Sequence, residues 1–557
     1  MNDVASIHPL TVLTIDAFWS WDTVLAGHER KLLEDAMAEV LPNRRWFGSK
    51  TRAIRTVAIL EAISISELGQ LLVVRVDYES GQEEIYQVPL AFMANGTEAA
   101  ESPSDRWIIV QQTNGHIEGV LYDALCDAGF CQGLLELVDQ TAELNGASGK
   151  IVFEHSARYD ELRGERNVPL LPRLLESQQS NSSVVFGDRL IMKLFRRVEV
   201  GLNPDFELCD FLTEAGYANT PALAGRILYR QNGESLALAM LQAFVPNRGD
   251  AWKFTLDWLN DALQVYLIGD NRRAVFASPS QSHLKTAVQG TAPEAQSAFG
   301  GFLQSAALLG QRTAAMHVAL ASNPERTDFA PEPFTGADRQ EYLSNCREYA
   351  RATFELLRKQ QVSYSGQLAA QATRVAKLEA NVLSAYESLA DANVDVDKIR
   401  IHGDYHLGQV LATGDDFQII DFEGEPVRSI AERRQKQLAL RDLAGILRSF
   451  HYASRTAVAQ ALNVLAAKGK GDAVTSAVIN NWTLSWYEWT CVAFLSDYLR
   501  IARASSFLPR DLAQTEQLLH ACLLEKAIYE LRYELNNRPD WVYLPLTALE
   551  DLLGLHT

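Results

Sequence analysis

At 557 residues the chain is too long for one hydrophobic core, since single cores stop growing near ~250–300 residues, so several domains or subdomains are expected. Its 70 acidic residues against 51 Lys and Arg give a net charge of −19, which argues against nucleic-acid binding through a general basic footprint. Apolar residues make up 47%, enough for sizeable cores, yet no run of about 18 uncharged apolar residues appears that would cross a membrane.

The one basic run, Arg433-Arg434-Gln435-Lys436, is short and partly balanced by Glu432. The acidity reads as a solvated surface, although a cationic substrate would also fit it. Residues 1–20 carry Asp3 and Asp16 and no basic leader, so a cytoplasmic protein is expected. The six cysteines show no CxxC pair or metal spacing, which fits reduced thiols, and Cys126 and Cys131 are read as buried rather than bridged.

Residues 1–150 read as an α+β module. Glu29 to Leu41 has leucines and alanines at helical spacing and ends at Pro42. Arg44-Arg45-Trp46-Phe47-Gly48-Ser49-Lys50 follows and reads as a buried Trp-Phe anchor flanked by surface cations. Strands are expected at Val57 to Ile65, Gln70 to Tyr78, Glu84 to Pro89 and Trp107 to Gln112, the second and third joined as a hairpin at Ser80-Gly81. Gly119 to Leu137 is read as a helix.

Residues 151–245 read as a β-rich lobe. The polar turn Gln179-Ser180-Asn181-Ser182-Ser183 leads into Val184-Val185-Phe186, and Leu190 to Phe195 is the next strand. Lys193 lies inside that apolar strand, where an unpaired ammonium is costly, so an anionic partner is expected. Glu207, opening the following helix, stands at a suitable distance. Leu236 to Leu241 is another strand, and Gln242, Phe244 and Val245 leave it as a candidate hinge.

Residues 246–557 read as mostly helical. Helices are expected at Asp257 to Gly269, Ala295 to Ala321, Gln340 to Gln360 and Leu368 to Ala392, with about 270–293 and Pro324 to Asp338 as loops. His317, on an Ala/Leu-rich face, reads as a packed histidine.

Ile401 to Pro426, IHGDYHLGQVLATGDDFQIIDFEGEP, is the most informative stretch. Two short apolar strands flank the turn Thr413 to Asp416. Asp404 and Gln409 stand on one side of that hairpin and Asp421 and Glu423 on the other. Oxygen donors without Cys or His suit Mg²⁺, which is usually shared with substrate phosphates. In phosphotransferases of the protein-kinase type, an Asp accepts the proton of the attacking hydroxyl. An amide five residues on binds Mg²⁺, and a later Asp-Phe-Gly Asp holds the metals on ATP. Asp404, Gln409 and Asp421-Phe422-Glu423 match that spacing, with Gln for Asn and Glu for Gly. Lys193 and Glu207 then supply the phosphate-binding lysine and its helix glutamate. Ser180, Asn181 and Ser182 stand where a phosphate-covering loop would be, without its glycines. Gly403 stands where an Arg that couples to a phosphorylated loop is usual, which suggests a small-molecule kinase.

Beyond the hairpin, Leu438 to Tyr452 is helical, and Asp442 near its start is read as an N-terminal helix charge or a partner of the catalytic loop. Val474 to Ala504 carries Trp482, Trp486 and Trp489 on one stripe, read as core with sugar stacking as the alternative. Leu518 to Asn536 places Lys526, Tyr529, Glu530 and Tyr533 on one face, a mixture suited to sugar hydroxyls.

The runs HGDYHLGQ, IIDFEGEP, AERR and LRDLAGILRSFHYA resemble the maltokinases, which phosphorylate maltose at its anomeric hydroxyl. The resemblance runs from about Leu41 to the C-terminus and includes RWFGSK and the EKAxYExxYE-like run at Glu525. It implies an α+β, bilobal protein-kinase-like fold of the aminoglycoside phosphotransferase type. A cap and intermediate subdomain at 1–150 would precede a nucleotide-binding lobe at 151–245 and a helical lobe at 246–557. It implies ATP and Mg²⁺ as cofactors and maltose as substrate, and it raises association with a trehalose synthase. His406 and Glu423 join Lys526, Tyr529 and Glu530 as candidate sugar contacts. An aminosugar or aminoglycoside kinase is the rival on the same fold, and a non-catalytic partner module of a trehalose synthase is the rival outside it.

Overall fold

A computed structural model describes residues 11–16, 19–66, 69–96, 106–175, 180–268, 278–279, 281–390, 394–425, 428–467 and 473–554. The chain divides into two compact units: Met1–Asp210 with Pro221–Pro246, and Phe211–Thr220 with Asn247–Thr557.

The first unit contains two sheets. In spatial order the first runs Thr11–Ile15, Arg106–Gln112, Ile117–Asp123, Glu83–Ala94, Gly69–Tyr78 and Ile54–Ser66, and Arg197–Val198 also pairs with Glu83–Ala94. Thr11–Ile15 lies parallel to its neighbour and the other pairs are antiparallel. Leu33, Met37 and Val40 of the Gly27–Val40 helix join its core, as do Trp46 and Phe47. Phe47 stacks on Tyr86 with ring centroids 4.9 Å apart, and Arg45 and Lys50 stay exposed, so the RWFGSK stretch is the anchor expected of it.

The second sheet is antiparallel, in the order Glu143–Asn145, Lys150–His155, Leu223–Gln231, Glu234–Ala243, Leu190–Leu194, Ser182–Phe186, Pro172–Leu174. The sheets are bonded together. The Gln87 amide donates to the Phe195 carbonyl at 2.8 Å, and Glu61 accepts backbone N–H groups from Ala147 and Ser148 at 2.8 Å and Gly149 at 3.0 Å. Arg196, 1% exposed, pairs with Asp123.

The second unit is largely helical. Its long helices are Ala251–Ile268, Pro293–Leu320, Gly336–Gln360, Leu440–Ala467, Ala473–Ala502 and Leu512–Asn537. Trp482, Trp486 and Trp489 are buried, Trp486 against Phe302 at 4.9 Å, so that stripe is core. No helix among the described residues is long and apolar enough to cross a membrane, and all six cysteines are free thiols.

Three element expectations are corrected. Gly119 to Asp123 belongs to the strand Ile117–Asp123, paired on both sides, and the helix starts only at Ala128, capped by Asp127. A Cβ at Gly119 would meet the Met93 carbonyl at 2.2 Å, so the glycine there permits close strand approach rather than opening a helix. The expected loop at 270–293, part of which lies outside the described residues, contains a helix, His283–Gln289, capped by Ser282 and ended by Gly290 at φ +95°. The expected helix Leu368 to Ala392 is two, Gly366–Val375 and Glu379–Glu387, separated where Lys377 and Leu378 donate three residues back.

Candidate active site

Asp442, in the first turn of the Leu440–Ala467 helix and 2% exposed, fixes the loop that carries Asp404. Its Oδ2 accepts the His402 N–H at 2.8 Å and its Oδ1 the Gly403 N–H at 3.0 Å. His317 Nε2 lies 3.1 Å from the same Oδ2, and the other ring nitrogen lies 2.9 Å from the Tyr498 hydroxyl. Burial pushes the Asp442 carboxyl up, but the His317 contact, nearby charge and the Gly403 N–H outweigh it and hold it below the usual carboxylate range. A buried anion therefore orients two consecutive amides just before Asp404. Gly403 adopts φ +84°, a left-handed conformation that glycine takes at no steric cost. At Gly445 a Cβ would meet the Tyr405 carbonyl at 2.2 Å, so helix backbone and loop backbone touch. Leu407 N–H donates to Ser449 Oγ at 3.1 Å, and the Tyr405 hydroxyl bonds Thr313 at 2.9 Å.

Asp404 keeps 23% of its side chain exposed. Lys526 Nζ is 3.2 Å from its Oδ1 and 3.5 Å from Glu425 Oε1, while Arg428 holds Glu425 at 2.6 Å. His406 Nε2 is 3.9 Å from Asp404 Oδ2, and its Nδ1 accepts the Gly408 N–H at 3.1 Å. Burial alone would raise the Asp404 carboxyl; Lys526 first, then His406 and His402, bring it below its ordinary range. The group is an anion able to accept a hydroxyl proton.

Gln409 closes the short turn Leu407–Gln409. Its side-chain amide nitrogen donates to Asp421 Oδ2 at 2.7 Å and its backbone carbonyl accepts the Ile420 N–H at 3.0 Å, tying the two sides of the Val410–Ala412 and Phe417–Ile419 hairpin together. With the nitrogen so used, the amide oxygen is the donor left for a cation. Asp421 adopts φ +68°, rare outside glycine and concentrated at functional positions. A carboxylate oxygen of Glu423 lies within 4.8 Å of one of Asp421. Gln409, Asp421 and Glu423 thus offer hard oxygen donors of the kind Mg²⁺ takes.

In the first unit, Lys193 lies on Leu190–Leu194, opposite Ser183 and Met240. Its Nζ is 2.7 Å from Asp205 Oδ2, a carboxylate at 2% exposure whose N–H is capped by Asn203 Oδ1 at 2.8 Å. Glu207, the helix acid expected beside Lys193, is buried on the same Pro204–Glu214 helix, and Asp205, two residues earlier, was not anticipated. Both acids sit in the first turn, and the sequence alone does not rank them. Ser180 and Asn181 precede the strand Ser182–Phe186, and Gln179 lies outside the described residues. Ser182 lies in the strand rather than in a loop, and its hydroxyl accepts from Arg196 at 2.8 Å, which gives it a place in the sheet. Gln242 donates to Cys209 Sγ at 3.3 Å, the Phe244 N–H bonds the Arg189 carbonyl at 2.8 Å, and Val245 follows, partly buried.

Within the second unit, Asp404, His406, Lys526, Tyr529 and Glu530 line one cavity of about 500 Å³. Glu423 is absent from that lining and stands by Asp421 instead. Two of the other carboxylates lining this cavity have a guanidinium partner, Arg448 at 2.7 Å from Glu530 and Arg538 at 2.7 Å from Glu534, while Asp250 accepts the Lys253 backbone N–H at 2.8 Å. Lys526, Tyr529 and Gly445 also line a second cavity of about 410 Å³ that includes Glu425 and Arg428. Glu425 was not anticipated.

Residues 41–127 match the family model of the maltokinase N-terminal cap domain. The chain is 26% identical over 380 residues to the glucosamine kinase of Streptacidiphilus jiangxiensis, covering 67% of this chain and 72% of that protein. It is 25% identical over 403 residues to the glucosamine kinase of Mycolicibacterium smegmatis, covering 70% and 80%. Among solved structures, a glucosamine kinase in complex with glucosamine, ADP and inorganic phosphate superposes with TM-score 0.56 at 20% identity, covering 89% of this chain and 94% of that one. A second crystal form of a glucosamine kinase gives 0.57 at 19% identity, covering 93% and 99%. The fold is the bilobal kinase-like α+β fold, preceded by a cap.

Proposed function

We propose that the chain is a sugar kinase that transfers the γ-phosphoryl group of ATP to the anomeric hydroxyl of maltose, a reading supported by its match to the maltokinase cap domain over residues 41–127 and its likeness to glucosamine kinases. In this reading residues 1–150 are the cap, 151–245 serve nucleotide and 246–557 carry the catalytic loop and the sugar site. The carrying observation is Asp404, held ionised by Lys526 at the wall of a cavity whose other groups are hydroxyl-bonding. Asp404 orients the acceptor hydroxyl and takes its proton, and the anomeric hydroxyl is the most acidic on the sugar, so least proton-transfer work is required there. Tyr529 and Glu530 bond further hydroxyls. Lys193, paired with Asp205 at 2.7 Å, meets the nucleotide's phosphates. Gln409, Asp421 and Glu423 would hold Mg²⁺, which when bound would supply charge neutralisation on the phosphates. Alignment and electrostatics carry the reaction.

Glucosamine is the rival acceptor, favoured by the likeness to glucosamine kinases. Asp404, Glu530 and Glu534 each already face a cation, which suits a neutral sugar, while Asp250 in the same lining is the carboxylate through which an ammonium would be favoured. The test is an acceptor screen by coupled ADP detection. Maltose should give the highest kcat/KM; a clear preference for glucosamine transfers the reading to the rival.

A further inference from the structure

We infer that Lys526 is a further catalytic residue, one that donates hydrogen bonds to the phosphoryl group as it passes to the hydroxyl held by Asp404. The inference rests on the reading of the Asp404 cavity as the acceptor site, and adds to it a contact with the transferred group.

Three observations carry it. The first is access. Lys526 lines the Asp404 cavity, keeps 17% of its side chain exposed, and places Nζ 3.2 Å from Oδ1 of the base. A hydroxyl bonded to that carboxylate, and the phosphorus that arrives on its oxygen, come within reach of the ammonium. The second is unused donor capacity. An ammonium has three N–H donors, and among the described residues this one makes a single hydrogen bond, to Asp404. Glu425 Oε1 at 3.5 Å and the Tyr529 ring at 4.7 Å hold its position without engaging the other two donors in a hydrogen bond. The third is charge. Burial raises the Asp404 carboxyl, and Lys526, first of the groups that oppose it, helps take it below its ordinary range rather than back to it. That keeps the group ionised but weakens it as a base, a poor bargain if proton removal were the whole task. Phosphoryl transfer supplies the reason, since its transition state spreads negative charge over three oxygens and depends on charge stabilisation. In the step, the bond from the γ-phosphorus to the ADP oxygen breaks and its electron pair stays on ADP. The bond to the acceptor oxygen forms, and the hydroxyl proton passes to Asp404. Lys526 gives up no proton; its remaining N–H groups turn to a nonbridging oxygen of the moving group.

The test is the pH–rate profile of two uncharged variants, Lys526→Met and Lys526→Gln, and of Lys526→Arg, beside the parent on maltose and on glucosamine, after thermal melts establish which variants are folded. On the alkaline side Asp404 is ionised with or without Lys526. There the uncharged variants should show a kcat about 100-fold or more below the parent, with the alkaline limb at the parent's pH and KM for ATP and acceptor within about threefold. Lys526→Arg, which keeps the charge but not the compact ammonium, should lie between them and the parent. Calorimetry of ADP with aluminium fluoride and the acceptor, a mimic of the moving phosphoryl group, should show binding weakened by a similar factor in the uncharged variants while ADP alone binds as in the parent. An uncharged variant whose alkaline kcat equals or exceeds the parent's overturns the inference and leaves the kinase reading standing, because Lys526 would then only set the ionisation of Asp404. A parent that phosphorylates neither sugar sinks the acceptor reading, and the inference with it.

Discussion

In Lys526→Met the ammonium 3.2 Å from Asp404 is gone, and with it the main cation that offsets burial of that carboxyl. The Asp404 pKa then rises. Because the ionised form accepts the hydroxyl proton, the acid limb of kcat/KM against pH should move to higher pH while the alkaline side stays put. A pH–rate profile checks this, and a limb that stays or moves downward contradicts it. Lys193→Ala should raise KM for ATP about tenfold or more, since a charged clamp on phosphate is lost. Arg should not restore it, because the 2.7 Å pairing with Asp205 suits a compact ammonium. These residues differ in how they could be read. Asp404, Gln409 and Asp421 stood out by spacing around a short apolar hairpin, and Lys193 by its apolar strand. The contact of Lys526 with Asp404 spans 122 residues and leaves no local signal, so Lys526 was read only as a sugar contact.

At the scale of elements, close backbone approaches decide where the site sits. A methyl group at Gly445 would collide with the Tyr405 carbonyl, so Gly445→Ala should displace the Asp404 loop and lower kcat more than it lowers Tm. Gly310→Ala on the Pro293–Leu320 helix meets the Phe494 carbonyl at 2.2 Å and should cost about 1–3 kcal/mol by urea unfolding, with a smaller effect on kcat. Asp442 couples stability to pH. Its folded carboxyl lies below the ordinary value, so its contribution is fully present above roughly pH 4 and is lost as pH falls through the lower folded value. Asp442→Ala should cost about 3 kcal/mol or more at pH 7, because His402, Gly403 and His317 lose their buried acceptor, and the gap to the parent should shrink in acid. Periodicity located most long helices, and contact with the catalytic loop was one of the two roles that its place near a helix start offered for Asp442. It failed at Ile117–Asp123, where an apolar run with a glycine fits either period. It also failed at Ala376 to Leu378, where no Gly or Pro announces the break.

At the scale of the whole molecule, the cap is not a detachable appendage. Arg197–Val198 completes the first sheet, Gln87 bonds Phe195, and Arg196 depends on Asp123 for its buried charge. A chain beginning at residue 128 should therefore be insoluble or fail to show cooperative melting, and a soluble, active product would contradict this. The composition bounded the classes and the catalytic stretch carried the chemistry, but strand order among residues 11–243 was not legible, since Arg197–Val198 leaves the second sheet's sequence to join the first. The acceptor is the part least visible in the sequence, because in the proposed reading it would be set by a cavity whose lining residues lie far apart in the chain. The most direct test is phosphorus NMR of the product formed from ATP, Mg²⁺ and maltose, run beside Asp404→Asn. The account predicts a phosphorus coupled to the anomeric proton, loss of the reducing end, and a ~10²–10⁴-fold slower reaction in the variant with ATP binding kept. A product that still reduces copper, or a variant retaining more than about a tenth of the parent kcat, well short of that loss, would contradict it.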